Sequence, residues 1–127
     1  MSGDTVRLAA LGERPADTVF SNARLFNPFT CSWEDTSFAV AGGRVAGIGE
    51  YDGKHSIDLA GARVVPGLID AHVHIESSLL TPAEYGRLVL PRGTTTVMAD
   101  PHEIANVLGA EGIEYMLSAR RETPLDI

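Results

Sequence analysis

The chain has 127 residues, of which 44% are hydrophobic and 21% are charged, a composition typical of a globular protein rather than a disordered or fibrous one. Its formal net charge of -7 argues against a nucleic-acid or anionic-membrane partner, and its single cysteine excludes an internal disulfide and a cysteine-rich zinc site. The start of the chain lacks a basic segment followed by an apolar run, and no stretch approaches the ~20 apolar residues of a membrane span, so we expect a soluble cytoplasmic protein.

The first half of the chain is predicted to form one short helix followed by several short strands. Asp4 as N-cap and Gly12 beyond the last turn favour a helix over residues 4–11. The Gly42-Gly43 pair is typical of a hairpin turn. Short strands separated by glycine turns indicate a small antiparallel sheet. The predicted strands are 18–26, 36–40, 44–48, 56–59 and 63–65, with Cys31 and Trp33 in a loop.

After Pro66 the pattern changes to strands that alternate with helices. Residues 67–72 form an apolar run without alternation, which is typical of a buried parallel strand. Thr81 as cap, Pro82 at the first helical position and Glu84 three residues past the cap predict a helix that ends near Leu90. The remaining predicted elements are a strand at 94–99, a helical turn at 103–108, a helix at 110–121 with apolar Ile113, Met116 and Leu117 on one face, and the start of a third strand at 124–127.

Two histidines stand at positions i and i+2 at the end of the first of these parallel strands. Because side chains alternate along a strand, Asp70, His72 and His74 share one face. Two imidazoles on one face can bind one metal ion, and Asp70 is placed to orient them or to accept a hydrogen bond behind them. We therefore predict that His72 and His74 are metal ligands, while the spacing leaves zinc, iron, manganese and nickel open.

Three ionisable residues, Asp100, His102 and Glu103, follow the second parallel strand. In barrel enzymes the carboxyl ends of the strands carry the active site, so we expect these residues to be auxiliary site residues. They would support the metal ligands, contact the substrate or add a further metal ligand. The alternative is an ordinary loop, because Asp100-Pro101 also suits a turn that caps a helix.

Glu76, Ser77 and Ser78 follow the histidine pair at the same end of the strand. We expect this loop to contact the substrate. The alternative, a capping loop that leads into the helix at Thr81, has equal weight.

The segment from Val64 to His74 resembles the first barrel strand of the amidohydrolase superfamily, whose mark is Pro-Gly, two hydrophobic residues and Asp-x-His-x-His. Other segments resemble the adenine deaminase branch of that superfamily, and the resemblance runs along nearly the whole chain. These segments are Pro15-Ala16-Asp17, Asn22-Ala23-Arg24, His-Ile-Glu-Ser-Ser at 74–78, Leu-Pro-Arg-Gly-Thr-Thr-Thr-Val at 90–97 and Ala-Asp-Pro-His-Glu-Ile-Ala-Asn-Val at 99–107.

The resemblance implies an α/β fold in two parts. Residues 1–66 would form a small antiparallel β side domain, and residues 67–127 would form the first βα units of a (β/α)8 TIM-like barrel. Since a complete barrel needs about 250 residues, the barrel is incomplete in this chain, which would be the N-terminal part of a longer enzyme. We expect the isolated chain to be poorly stable, because an open barrel fragment leaves strand edges uncovered.

The resemblance also implies a function, the hydrolysis of adenine to hypoxanthine and ammonia at a two-metal site that uses manganese or iron, with zinc as the alternative. Metal-activated water attacks C6 of the purine, and a carboxylate moves a proton to the leaving amino group. In the family, the remaining metal ligands and the catalytic aspartate come from later strands, so we expect the isolated chain to be inactive. The full-length form is expected to be a homo-oligomer. The alternatives are another amidohydrolase, such as a dihydroorotase, hydantoinase or imidazolonepropionase, and a non-catalytic relic.

Overall fold

In the computed structural model, which describes residues 2–127, the chain forms two compact units whose boundary in sequence falls between Pro66 and Gly67. No helix among the described residues combines the length and the apolar composition needed to cross a membrane. The first unit contains α1 (Ser2–Ala10), β1 (Ala16–Asn27), β2 (Ser32–Ala41), β3 (Arg44–Ile48), β4 (Gly53–Asp58) and β5 (Arg63–Val64). The second contains β6 (Leu68–Val73), a 3-10 turn (Glu76–Ser78), α2 (Pro82–Val89), a 3-10 turn (Leu90–Arg92), β7 (Thr94–Ala99), α3 (His102–Leu108), α4 (Ala110–Ala119) and a last 3-10 turn (Arg120–Glu122).

The sheet of the first unit has the order β3-β2-β1-β4, with β5 also paired to β1. β1 pairs antiparallel with β2, and β2 pairs antiparallel with β3. The prediction of an antiparallel sheet is wrong for β4 and β5, which run parallel to β1. Residues 49–52 carry the chain from β3 to the other edge of β1 instead of forming a hairpin. Glycine turns mark where strands end, but they do not determine the direction of the next strand.

The helix at the start of the chain packs on this sheet through small side chains. Ala9 of α1 is buried in one cluster with Ala16, Val19, Ala39 and Ala41 of the strands. Alanine side chains allow the helix backbone to approach the sheet closely, and the burial of α1 stabilises a helix that is too short to be stable alone.

One carboxylate ties three segments of the first unit together. Asp17 on β1 accepts a hydrogen bond from the main-chain N–H of Gly42 at 2.8 Å and pairs with the Lys54 ammonium on β4 at 2.6 Å. The hydrogen bond from Lys54 is the largest cause that lowers the pKa of Asp17 below its ordinary value, and the hydrogen bond from Gly42 adds to it. Asp17 therefore links β1 with the β2–β3 turn and with β4.

Several boundaries in the first unit differ from those expected, including the start of β4, which begins at Gly53 rather than at residue 56. The helix begins at Ser2 rather than after an Asp4 cap, and Asp4 instead lies within it and pairs with Arg7 at 3.5 Å. Trp33 lies in β2 and not in a loop, where its ring contacts Phe26 of β1 at a centroid distance of 5.2 Å. This aromatic cross-strand pair belongs to a part of the β1–β2 ladder that lies before residue 36, the predicted start of the second strand.

The second unit is built around two parallel strands, β6 and β7, joined by α2. The predicted start of α2 is confirmed, because Pro82 begins the helix and the Thr81 hydroxyl accepts a hydrogen bond from the main-chain N–H of Glu84 at 3.3 Å. Near the end of the described chain, Asp126 forms a parallel bridge with Thr96 of β7, at the place where a third strand was expected to begin.

The core of the second unit consists of Ile75, Val97, Met116 and Leu125. The expectation that β6 is buried is wrong for its first residues, since Leu68 and Ile69 are 55% and 65% exposed. β6 is hydrogen-bonded to β7, but these two side chains remain more than half exposed. β6 therefore carries more apolar side chains than the core of this unit buries.

Candidate metal centre

The candidate site lies at the carboxyl ends of β6 and β7. These strands run parallel, and Val73 lies opposite Ala99 at their ends. Because parallel strands end at the same edge of a sheet, His72 on β6 and His74 just after it come close to Asp100, which follows β7. Strand pairing between segments more than twenty residues apart therefore assembles the cluster.

The two imidazoles face each other through equivalent nitrogen atoms. Nε2 of His72 and Nε2 of His74 lie 3.1 Å apart, and the ring planes are nearly perpendicular, at 84°. The other ring nitrogen of His74, Nδ1, lies 2.8 Å from the main-chain oxygen of Asp100. A carbonyl oxygen can only accept, so Nδ1 of His74 carries the proton and Nε2 of the neutral ring presents its lone pair to the cluster.

The donor set fits a divalent metal ion. One donor atom each from His72, His74 and Asp100 lies within 4.8 Å of the others. Two nitrogen atoms 3.1 Å apart can both reach one ion at the roughly 2.0–2.1 Å of a zinc–imidazole bond. A hydrogen bond behind a ligand histidine, such as the one from His74 to Asp100, is the usual companion of metal ligation.

The groups around the site shift the pKa values of His74 and Asp100 in opposite directions. The carbonyl of Asp100 is the main cause that raises the pKa of His74, partial burial opposes it, and the carboxylates of Asp100, Glu103 and Glu76 add to the increase. The hydrogen bond from His102 is the main cause that lowers the pKa of Asp100 below its ordinary value. The site therefore favours positive charge, either as protons or as a cation.

His102 lies on the outer side of the cluster. Its Nδ1 donates to the Asp100 carboxylate at 3.0 Å, and its ring packs edge-on against His74 with centroids 4.6 Å apart. This hydrogen bond leaves Nε2 of His102 without the proton in the neutral ring. Both partners are about half exposed, at 54% and 50% of the side chain, so the pair is open to a ligand.

The loop after the histidine pair contacts the start of α3. The Ser77 hydroxyl donates to the Glu103 carboxylate, and the main-chain N–H of Ile104 donates to Oε1 of Glu76 at 3.3 Å. Ser78 donates to the main-chain oxygen of Ile75 at 2.5 Å. Each of these side chains thus makes a hydrogen bond within the protein, although Oε2 of Glu76 is buried and has no hydrogen-bond partner among the described residues. Their predicted contact with a substrate stays a prediction.

Asp70 supports the main chain of the site. Its Oδ1 accepts a hydrogen bond from the main-chain N–H of His72 at 3.2 Å. Among the described residues, no hydrogen bond joins the Asp70 carboxylate to an imidazole. The nearest support of an imidazole is instead the Asp100 carbonyl, which the sequence could not indicate, because every residue has a carbonyl and only the register of β6 and β7 selects this one.

Residues 63–127 match the family described as "Amidohydrolase family". A protein named adenine deaminase from Methanoregula boonei is 61% identical to the chain over 120 residues, and one from Kosmotoga olearia is 56% identical over 119 residues. These alignments cover 94% and 93% of this chain but only 22% and 21% of the relatives, so the chain spans about a fifth of their length. A solved structure of D-aminoacylase, whose description concerns its binuclear metal centre, is 28% identical with a TM-score of 0.56, over 67% of this chain and 18% of that one.

Proposed function

Because this chain belongs to the amidohydrolase family, we propose that it is the N-terminal part of an adenine deaminase, which hydrolyses adenine to hypoxanthine and ammonia. One observation carries the proposal: the two Nε2 atoms of His72 and His74 lie 3.1 Å apart at the carboxyl end of a parallel strand. The 61% identity to a protein named adenine deaminase supports the purine as the substrate class.

The proposed architecture assigns the two units to two parts of the enzyme. Residues 67–127 are the first βα units of a (β/α)8 barrel, and residues 1–66 are part of a side domain. The exposure of Leu68 and Ile69 supports this assignment, because a closed barrel would cover side chains that β6 leaves at the surface here. We further propose that the full-length enzyme is a cytoplasmic homo-oligomer.

His72 and His74 would hold one metal ion through their Nε2 atoms, and Asp100 offers a third donor. When bound, a divalent ion supplies Lewis acidity, which makes water a nucleophile near neutral pH. Manganese or iron, with zinc as the alternative, is the proposed metal, in a binuclear centre of the complete enzyme. The Asp100 carbonyl keeps the proton of His74 on Nδ1, which leaves Nε2 free for this role.

The remaining site residues have auxiliary roles in this proposal. Nδ1 of His102 donates to the Asp100 carboxylate, which leaves Nε2 of the neutral ring as a hydrogen-bond acceptor toward the site, and Glu103 follows His102 on α3. Asp70 holds the main chain of His72. Glu76, Ser77 and Ser78 remain the predicted substrate contacts. The set contains two imidazole ligands for a centre that needs more, so the 127-residue chain alone is proposed to be inactive.

A chimeric enzyme tests this proposal. The 127 residues would replace the matching segment of the Methanoregula boonei protein, and adenine conversion would be followed by absorbance with added manganese or iron. We expect the chimera to deaminate adenine and the isolated chain to show no turnover. His72→Ala in the chimera should abolish turnover, whereas His55→Ala, a matched change at an exposed histidine of β4, should not.

Three results would contradict the proposal. These are turnover of adenine by the isolated chain, full activity of the His72→Ala chimera, and a chimera that hydrolyses cyclic amides such as dihydroorotate or hydantoin but not adenine. The last result would assign the segment to a different amidohydrolase, since the histidine pair on the first strand is common to the superfamily.

A further inference from the structure

The helix that follows the second strand of the site begins without a cap of its own. Pro101 precedes α3 and makes no side-chain hydrogen bond to it. The first N–H groups of a helix have no partner within the helix and need an acceptor from elsewhere. For Ile104 this acceptor is Oε1 of Glu76, a residue nearly thirty positions earlier in the chain.

A second hydrogen bond lies beside the first. The Ser77 hydroxyl donates to the Glu103 carboxylate, so two consecutive residues of the 3-10 turn contact two consecutive residues of α3. Ile75, immediately before this turn, is fully buried in the core of the second unit, and the partly buried Ile104 packs against that core. We call the Glu76–Ile104 and Ser77–Glu103 hydrogen bonds together the loop clamp.

The Asp100 carbonyl lies between the pairing of β6 with β7 and the loop clamp. Asp100 is held on one side by the hydrogen bond from its N–H to the Val73 oxygen at 3.0 Å, which continues the pairing of β6 and β7. On its other side the chain enters α3, which the loop clamp fixes to the turn after His74. The carbonyl that accepts from His74 Nδ1 thus lies between two attachments to the same histidine-bearing segment.

We propose that Glu76 and Ser77 are positioning residues that hold the Asp100 carbonyl on Nδ1 of His74 and so direct His74 Nε2 to the metal. This inference rests on the proposed metal role of His72 and His74. It assigns to the loop a function that acts through another residue, and loss of such outer hydrogen bonds typically lowers metal affinity by roughly 10–100-fold.

Two measurements on the chimera with the Methanoregula boonei protein test this inference, because the chimera supplies the barrel segments that the 127-residue chain lacks. Long-range ¹H–¹⁵N correlation spectra of the metal-free chimera report which nitrogen of His74 carries the proton, and titration with Co²⁺ reports affinity. Glu76→Ala and Ser77→Ala should shift the His74 proton away from Nδ1 and lower Co²⁺ affinity by roughly tenfold. Glu76→Gln and Ser77→Thr, which keep the acceptor and the donor, should behave like the unsubstituted chimera.

Ser118→Ala is the matched control, because it removes an exposed hydroxyl that, within residues 2–127, bonds only to the Tyr115 oxygen of the same helix, at 2.9 Å. The inference is overturned if Glu76→Ala and Ser77→Ala lower the melting temperature but leave the His74 ring signals unchanged, since the loop clamp would then only cap α3. If Glu76→Ala does not fold, Ser77→Ala decides alone. If the chimera, which supplies the remaining ligands, binds no Co²⁺, the proposed metal role fails, while the ring signals still decide whether the loop clamp positions His74.

Discussion

The imidazole of His74 is held from behind by the main-chain oxygen of Asp100, 2.8 Å from Nδ1, while its Nε2 lies 3.1 Å from Nε2 of His72. One side of the ring therefore has a fixed partner, and the other side has only a second imidazole. Two neutral rings can share a single proton across this gap, whereas a metal ion would engage both lone pairs.

Substitution of either histidine should remove divalent metal binding by the chain. His72→Ala and His74→Ala each delete a donor of the pair, so we expect Co²⁺ affinity to fall by more than the roughly 10–100-fold that loss of an outer partner costs. Isothermal titration and the visible spectrum of Co²⁺ measure this change. His55→Ala, in the exposed strand β4, should bind as the unsubstituted chain does. Equal loss in all three variants would contradict a site at the histidine pair.

The stability of the metal-free chain should depend on pH through His74. The pKa of His74 is raised above its ordinary value of 6.5, chiefly by the Asp100 carbonyl. Folding therefore favours the protonated ring, and its contribution is complete below the pKa of the unfolded chain and is lost as the pH rises through the higher folded pKa. Urea unfolding between about pH 5 and pH 8, the range in which histidine titrates, should show this decrease, and His74→Gln should reduce it. An unchanged pH profile in His74→Gln would refute the assignment.

The Asp17 hydrogen bonds should contribute stability that is lost in acid. The pKa of Asp17 is lowered from its ordinary value of 3.8, first by the hydrogen bond from Lys54 and then by that from Gly42. The contribution is therefore present above the pKa of the unfolded chain and is lost as the pH falls through the lower folded pKa. Asp17→Asn should weaken this dependence in acid unfolding curves of the first unit. Asp35→Asn, at an exposed position of β2, is the matched control.

Gly112 should not tolerate a side chain. A Cβ at this position would lie 2.8 Å from the main-chain oxygen of Ile104, at the contact between α3 and α4. Because a main-chain atom cannot move aside cheaply, Gly112→Ala should destabilise the second unit by about 1–3 kcal/mol. Gly3→Ala, where nothing lies within 4 Å, should change stability by no more than about 1 kcal/mol. Urea denaturation of both variants measures the difference, and equal stability would refute close packing at Gly112.

Features that depend on neighbouring residues in the chain could be predicted from the sequence. The Thr81 cap and Pro82 act within one helical turn, and the predicted strand at 94–99 agrees with β7 because β-branched residues fill it. The shared side of His72 and His74 follows from the period of two along a strand. In each case the cause and the effect lie within a few residues of each other.

Features that depend on distant segments could not be predicted in this way. The parallel direction of β4 follows from the path of residues 49–52 across the sheet, which no local pattern encodes. The partner of His74 is a main-chain carbonyl selected by the register of β6 and β7. The cap of α3 comes from Glu76, far from the helix in sequence, because Pro101 offers no side-chain acceptor.

The start of α3 depends on a hydrogen bond to Glu76, a residue distant in sequence, and this has a consequence for protein engineering. A graft that moved residues 100–104 onto another strand pair would leave the Ile104 N–H without its acceptor, and a graft of residues 75–78 alone would leave the Glu76 carboxylate without its donor. Each loop is therefore incomplete as a transplantable module. Designers who exchange loops at this end of the strands would therefore need to move residues 75–78 and 100–104 together.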